Sequence, residues 1–255
     1  MGHRLMVLGI VCVVLALAAG DSYAQPPGST GGLPGLSIQV GRNNTPEDVA
    51  VTVQIVLIIT LLSLAPAFLI LLTSFTRIII VLSFLRHALS TQQMPPNQVL
   101  IGLSLFLTFF IMAPVFNDIN NQAIKPYLNK EIQQREAFDR ALVPLRTFMF
   151  KQTRQKDIAL FIRAGNYPQP ANESEVPTLA LIPAFVISEL KTAFQMGFML
   201  FVPFLIIDMV VASVLMSMGM LMLPPIMISL PFKILLFVLA DGWHLLIQSL
   251  ITSFH

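Results

Sequence analysis

The sequence predicts an all-α, polytopic, membrane-associated fold, and three observations carry that prediction. Hydrophobic residues make up 55% of the 255 residues and charged residues 11%, with a mean hydropathy of +0.78; an ordinary water-soluble domain is not composed this way. The apolar residues gather into runs long enough to cross about 30 Å of hydrocarbon at about 1.5 Å per helical residue. Sixteen charged residues fall within 118–175, so one solvated block interrupts the lipid-compatible ones.

Residues 1–24 begin with His3 and Arg4, continue through an apolar core at 5–19 and end on Ser22-Tyr23-Ala24. A basic start, apolar core and small-x-small ending form the pattern of a secretory signal peptide, cleaved between Ala24 and Gln25. An uncleaved first anchor is the alternative. Cys12, the only cysteine, lies inside the core, so cleavage leaves no thiol for a disulfide, a cysteine metal site or nucleophilic catalysis. Residues 25–46 are rich in Pro, Gly, Ser and Asn and predict a flexible periplasmic N-terminal lead. Thr45-Pro46-Glu47-Asp48 supplies a helix start, with Thr as N-cap, Pro at the first helical position and acids suited to the dipole.

Residues 47–117 predict a first hydrophobic helical hairpin. Its first half, 49–76, carries no charge and contains Pro66, an expected kink. Arg77 stands before another apolar run, 78–85; the second half, 99–116, is uncharged and about the minimum spanning length. The polar turn between them contains Pro95-Pro96, and Arg77, Arg86 and His87 agree with a cytoplasmic turn under the positive-inside tendency.

Residues 118–177 predict a charged helical periplasmic insert. Phe138, Ala141, Leu142, Leu145, Phe148 and Met149 recur at helical spacing. Glu131 to Arg135 and Glu136 to Arg140 are favourable i,i+4 pairs. Pro144 is expected to restart the helix, and 166–177, with three prolines, to form the return loop. Alternation of spans places the insert outside; its nine Lys and Arg do not oppose this, because loops of about sixty residues escape the charge rule.

Residues 178–255 predict a second hydrophobic hairpin with a Met-rich loop, turning at Pro224-Pro225. Within 182–225, Glu189, Lys191 and Asp208 interrupt the apolar sequence, and Pro203 is expected to break the helix. Twenty Leu, Ile, Val and Phe residues in 182–223 favour insertion by roughly 6–12 kcal/mol. Three charges near mid-bilayer oppose it by roughly 8–10 kcal/mol. The two nearly cancel, so these charges face partners, a polar cavity or an interface. Glu189 and Lys191, two apart, point to different sides of a helix. Lys233 and Asp241 interrupt the last apolar run in the same way.

Several function classes are excluded. A net charge of +2 with no basic patch alternating with aromatics excludes nucleic acid as a partner. No H-E-x-x-H or G-x-S-x-G is present, and Asp241 with His244 is too small a ligand set for a metal; no enzyme activity or cofactor is expected. Two chemical possibilities remain for Glu189 and Asp208: a proton or ion relay of a small-molecule secondary transporter, or structural pairing between helices or subunits. The seven methionines in 182–225 include Met216, Met218, Met220 and Met222. On a helix Met216 and Met220 share a face, while Met218 and Met222 lie about 200° around. One pore-lining stripe is therefore impossible, whereas a loop at Gly219 presenting flexible thioethers into a narrow space is not. The plainer alternative is that methionine fills gaps between packed helices.

Several runs carry a resemblance. They are Thr73-Ser74-Phe75-Thr76-Arg77-Ile78-Ile79-Ile80, Pro95-Pro96-Asn97-Gln98-Val99-Leu100 and Leu105-Phe106-Leu107-Thr108-Phe109-Phe110. Further on come Lys151-Gln152-Thr153-Arg154, Ser188-Glu189-Leu190-Lys191-Thr192-Ala193-Phe194-Gln195, Pro203-Phe204-Leu205-Ile206-Ile207-Asp208 and Leu230-Pro231-Phe232-Lys233. In these the chain resembles the FliP family of the flagellar type III export apparatus and, more distantly, its injectisome counterpart, the SctR family. The resemblance implies a non-enzymatic export-gate subunit in the bacterial inner membrane and flagellar basal body. It implies several copies assembling with FliQ and FliR into a helical, closed conduit for unfolded flagellar substrates, with FlhB and FlhA as neighbours. It also implies bent hairpins that pack mainly on other subunits as well as meeting membrane lipid. The family's methionine constriction falls on Gly219-Met220-Leu221-Met222, where Leu221 departs from three successive methionines; Met216 and Met218 stand beside it. Glu189, Lys191 and Asp208 correspond to assembly contacts, and Phe148 and Phe161 to packing residues of the outer domain.

Overall fold

The computed structural model describes residues 46–91, 94–220 and 223–254. The expected signal peptide, its Ala24–Gln25 cleavage point, the lead as far as Thr45, and Leu221 and Met222 of the methionine loop lie outside them. The chain divides into two compact units, Met1–Gln54 and Ile55–His255, and the second holds every helix beyond the first. The expected all-α class holds, for every regular element among the described residues is helical. In order these are α1 (Pro46–Leu72), α2 (Phe75–Ala88), α3 (Asn97–Ile119), a π turn (Asn120–Ile124), α4 (Lys125–Leu128), α5 (Gln134–Gln152), α6 (Gln155–Ala164), a 3-10 turn (Glu173–Glu175), α7 (Thr178–Ser217), α8 (Pro225–Leu239) and α9 (Gly242–Thr252).

Helix α1 starts at Pro46 as expected but stops at Leu72 rather than reaching Thr76. Thr73 and Ser74 interrupt it, and Thr76 Oγ1 donates to Ile70 O across the break at 2.9 Å. A hydroxyl that satisfies a terminal carbonyl makes such an end stable in apolar surroundings. Arg77 therefore belongs to the first turn of α2. There Ile78, Val81, Leu82 and Leu85, at i, i+3, i+4 and i+7, form a fully buried stripe against α7.

Two expected proline breaks do not occur. Helix α7 runs unbroken for 40 residues through Pro183 and Pro203, and α5 for 19 residues through Pro144. A mid-helix proline removes one hydrogen bond and crowds the preceding turn, about 3 kcal/mol or more. In α5 Pro144 itself and the following Phe148 and Met149 are buried, and in α7 Gly197 and Phe204 are buried on either side of Pro203, so tertiary packing overrides that local preference. The helical run also passes residue 118: α3, the π turn and α4 carry it from Asn97 to Leu128.

Helix α7 is the axis of this packing, with α2 along it, α5 and α6 on its first half and α8 returning beside its second. Gly197 makes the α2 contact possible: a Cβ there would meet Cγ of Phe84 at 2.6 Å. The stripe expected on the insert is buried at its far end, by Phe148 and Met149, while Phe138 stands exposed. Of the two expected insert pairs, Glu136–Arg140 forms at 2.6 Å. Glu131 precedes the helix, so its pair with Arg135 has no helical geometry; it accepts instead from Asn129 Nδ2 at 3.1 Å.

Among the described residues two runs, Asn97–Leu128 and Thr178–Ser217, are long and apolar enough to cross a membrane. Helices α8 and α9 make a third only if counted together across their 64° bend, which falls on Asp241 at φ 49°. Large apolar side chains such as Phe106, Met199 and Leu239 are about three-quarters exposed or more, a surface suited to lipid or other chains.

Candidate functional site

The chemistry that the sequence placed in 182–225 resolves into three constructions along α7. The first is a buried ion pair. Arg77 is 2% exposed and Glu189 0%. Arg77 Nε donates to Glu189 Oε2 at 2.9 Å, and Nη2 donates to Glu189 Oε1. Nη2 also reaches Gln152 Oε1 at 2.9 Å, while Nη1 donates to Ser253 O at 2.9 Å and Ser253 Oγ at 3.0 Å. All five guanidinium donors thus have acceptors, in the bidentate fork that only arginine offers. Gln152 closes the circuit by donating to Phe254 O at 3.1 Å, and the Phe254 ring lies 3.8 Å from the guanidinium carbon. One side chain ties together α2, α5, α7 and the chain's last residues. Phe148 reinforces the joint, with ring centroids 6.0 Å from Phe185 and 6.3 Å from Phe254.

The second construction clamps α7 to α8. Asp208 Oδ2 accepts from Lys233 Nζ at 2.6 Å and Asp208 Oδ1 from Ser229 Oγ at 2.5 Å. Ser229 and Lys233 are four apart and share a face of α8. Lys233 is 1% exposed and also reaches Ser90 Oγ at 2.6 Å, beyond the end of α2.

The third is the methionine turn. Helix α7 ends in two reverse bonds, Gly219 N to Met216 O and Met220 N to Leu215 O, both 3.0 Å. This is the Schellman arrangement, which needs a residue in the left-handed region just past the helix. Gly219 supplies it at φ 74°, with no atom within 4 Å of where a Cβ would sit; backbone conformation alone demands glycine there. Met216, Met218 and Met220 stand 59%, 67% and 41% exposed around it. Because the helix runs to Ser217, Met216 belongs to its last turn and Met218 and Met220 to the loop. Pro224 caps α8 and Pro225 occupies its first position.

Where the insert meets α7, Asp157 accepts from Ser188 Oγ at 2.5 Å and pairs with Arg154 Nη2 at 2.6 Å; Ser188 Oγ accepts in turn from Arg154 N at 3.1 Å. Burial pushes the Asp157 carboxyl up, but the Ser188 hydrogen bond, Arg154 and nearby Lys156 outweigh it and hold the carboxyl below its ordinary value.

The FliP family profile matches residues 58–250. The chain belongs to the FliP family. It is 60% identical over 217 residues to the flagellar biosynthetic protein FliP of Bacillus subtilis (strain 168), covering 85% of this chain and 98% of the relative. It is 46% identical over 243 residues to that of Aquifex aeolicus (strain VF5), covering 94% and 97%. For the FliP of Pectobacterium carotovorum subsp. carotovorum the figures are 53% over 223 residues, covering 88% and 86%.

In this FliP-family chain Glu189 and Lys191 do face different sides, one buried and one exposed. The expectation of three charges near mid-bilayer fails. On one continuous helix Glu189 and Asp208 are nineteen positions apart, about 28 Å at 1.5 Å per residue, so they cannot share one membrane level. Both carboxylates, the pair a transporter relay would use, are engaged by cations of the same chain. Phe161 is partly buried against the core. Sequence reasoning took Arg77 as a marker of the cytoplasmic side, whereas its position is set by Glu189, Gln152 and Ser253. It left Lys233, Ser229, Ser90 and Gln152 without roles. The signal for them was Arg77 and Lys233 themselves, since a cation in an apolar run requires an acceptor.

Proposed function

We propose that this chain is a core subunit of the flagellar type III protein export gate in the bacterial inner membrane and flagellar basal body. In this proposal several copies assemble with FliQ and FliR around a closed conduit for unfolded flagellar substrates, beside FlhB and FlhA. The family's relatives are named flagellar biosynthetic proteins, and the observation that carries the reading further is the turn at Gly219. Exposed thioethers project from it while ion pairs brace the helices behind it.

A conduit for unfolded polypeptide must close against small solutes and yield to side chains of any kind. Methionine suits both demands: apolar thioethers around a constriction disfavour hydrated ions, and unbranched, freely rotating side chains reshape around whatever passes. The Schellman end and Pro224-Pro225 hold the backbone while the side chains move. In the same proposal residues 1–24 direct the mature N-terminus outward, 118–177 forms the outer domain, Met220, Leu221 and Met222 with Met216 and Met218 line the seal, and Lys191 faces a neighbouring subunit. Glu189, Asp208, Phe148 and Phe161 serve assembly by shaping the surface each copy offers.

The test replaces Met220 and Met222 by Ala together in the assembled complex and measures entry of small solutes across the membrane. Increased leak is expected. Unchanged permeability in a variant that is expressed and assembled rejects the seal.

A further inference from the structure

Three cations meet where α6 lies on α7. Lys156 and Lys191 are exposed, and the charged neighbours of Lys191 are Lys156, Arg154 and Asp157. Asp157 is the one carboxylate among them, and it is already engaged by Ser188 and by Arg154 Nη2. The other two guanidinium donor atoms of Arg154, Nε and Nη1, are covered and have no acceptor. Three positive charges against one negative leave the cluster cationic. Folded proteins provide acceptors for covered guanidinium donors, and like charges on one face repel until an anion joins them.

We propose that Arg154, Lys156 and Lys191 form a socket for a carboxylate of a second copy of this chain. Charge complementarity selects that occupant. Asp118, Asp139 and Glu173 are exposed on the same insert, and none takes part in the four ion pairs formed among the described residues. Asp139 lies thirteen positions before Gln152 in α5, about 20 Å along the helix from the cluster. It therefore reaches the socket of another copy more readily than its own. A basic patch on one face and acids on another make a heterologous contact, the kind that repeats around a ring or helix rather than closing on itself in pairs. The incoming carboxylate accepts from the exposed ammonium groups of Lys156 and Lys191 and separates them, while the half-buried Arg154 beside them adds its charge. Because the socket sits where a charged helix covers α7, an acidic side chain suits it better than lipid.

This inference rests on the self-assembly proposed for the export gate, and one experiment separates their failures. The full-length chain, co-expressed with its neighbours and purified in detergent, is treated with a zero-length carbodiimide, which joins an ammonium to a carboxylate in contact with it. Mixed light and heavy isotope labelling during expression tells links between copies from links within one. Native mass spectrometry counts the copies. A link from Lys156 or Lys191 to an acid of another copy is expected, with about a tenfold loss of oligomer in Lys191→Glu and recovery when the linked acid is changed to Lys. An intact oligomer whose only link from these lysines is to Asp157 of the same copy overturns the socket alone, as does Lys191→Glu with oligomer unchanged. Loss of bound anionic lipid rather than of oligomer in that variant assigns the cluster to a membrane surface and overturns it too. A single-copy particle in the presence of the neighbours overturns the self-assembly reading and the socket together.

Discussion

Glu189→Gln preserves shape and removes one charge, which makes it the sharpest probe of the frame. Arginine does not release its proton in proteins, so the cation at Arg77, 2% exposed, stays charged with no carboxylate to neutralise it. Breaking a buried pair by removing one partner costs about 3–5 kcal/mol. For a protein of this size each kcal/mol corresponds to about 2–4 °C in Tm, so a fall of roughly 6–20 °C is expected in thermal unfolding of the detergent-purified chain, followed by circular dichroism. The companion variant Arg77→Met with Glu189→Leu removes both charges and fills the space. It is expected to lose less than Glu189→Gln, although Gln152 and Ser253 O lose a donor, because no buried charge is orphaned. A fall below about 2 °C for Glu189→Gln, or a double variant whose loss equals the sum of its singles, refutes a closed, desolvated joint.

Two further outcomes follow from the geometry. Gly197→Ala places a Cβ 2.6–3.0 Å from three atoms of Phe84, displacing a ring that also meets Phe194 edge-on at 5.3 Å. Overpacking of this kind costs about 1–3 kcal/mol, and Phe84→Leu in the same chain should recover part of the lost Tm; no change in Tm on Gly197→Ala shows that the helices are not in close contact. Asp157 has its carboxyl held below the usual range by Ser188 and Arg154 against the opposing effect of burial. Its stabilising contribution is therefore full above the unfolded-state value of about 3.9 and is lost as pH falls through the lower folded-state value. Asp157→Asn should flatten the acid limb of the Tm against pH profile, and an acid limb unchanged by the substitution counts against the pairing.

The fold class and the chemistry of the turn were legible in the sequence because they depend on local pattern. Apolar runs, the Pro46 start and the Gly219 stop signal themselves within a few residues. The continuity of α5 and α7 was not legible, because a proline's local penalty is visible in the sequence whereas the contacts that overcome it come from distant segments. The same asymmetry governs the ion pairs. Glu189 and Asp208 could be recognised as needing partners from their setting alone, yet Arg77 lies 112 positions and Lys233 25 positions away, and only the packing of α2 and α8 along α7 chooses them. The five-fold satisfaction of Arg77 was still less accessible, since two of its acceptors belong to Ser253 in the last turn of the chain.

The unbroken course of α7 makes it a gauge as well as an axis. Forty residues extend about 60 Å at 1.5 Å each, twice the hydrocarbon thickness of about 30 Å. Lying wholly inside it would require a tilt near 60°, beyond the observed range of about 0–40°, so a substantial length of α7 stands clear of the lipid. The nineteen-residue spacing from Glu189 to Asp208 then sets a phase: inserting one residue between them turns one carboxylate by about 100° relative to the other and advances it by about 1.5 Å. Arg77 and Lys233 could no longer both be met. Length in this segment is thus constrained by angular registration, residue by residue, even where the side chains between are interchangeable hydrocarbon.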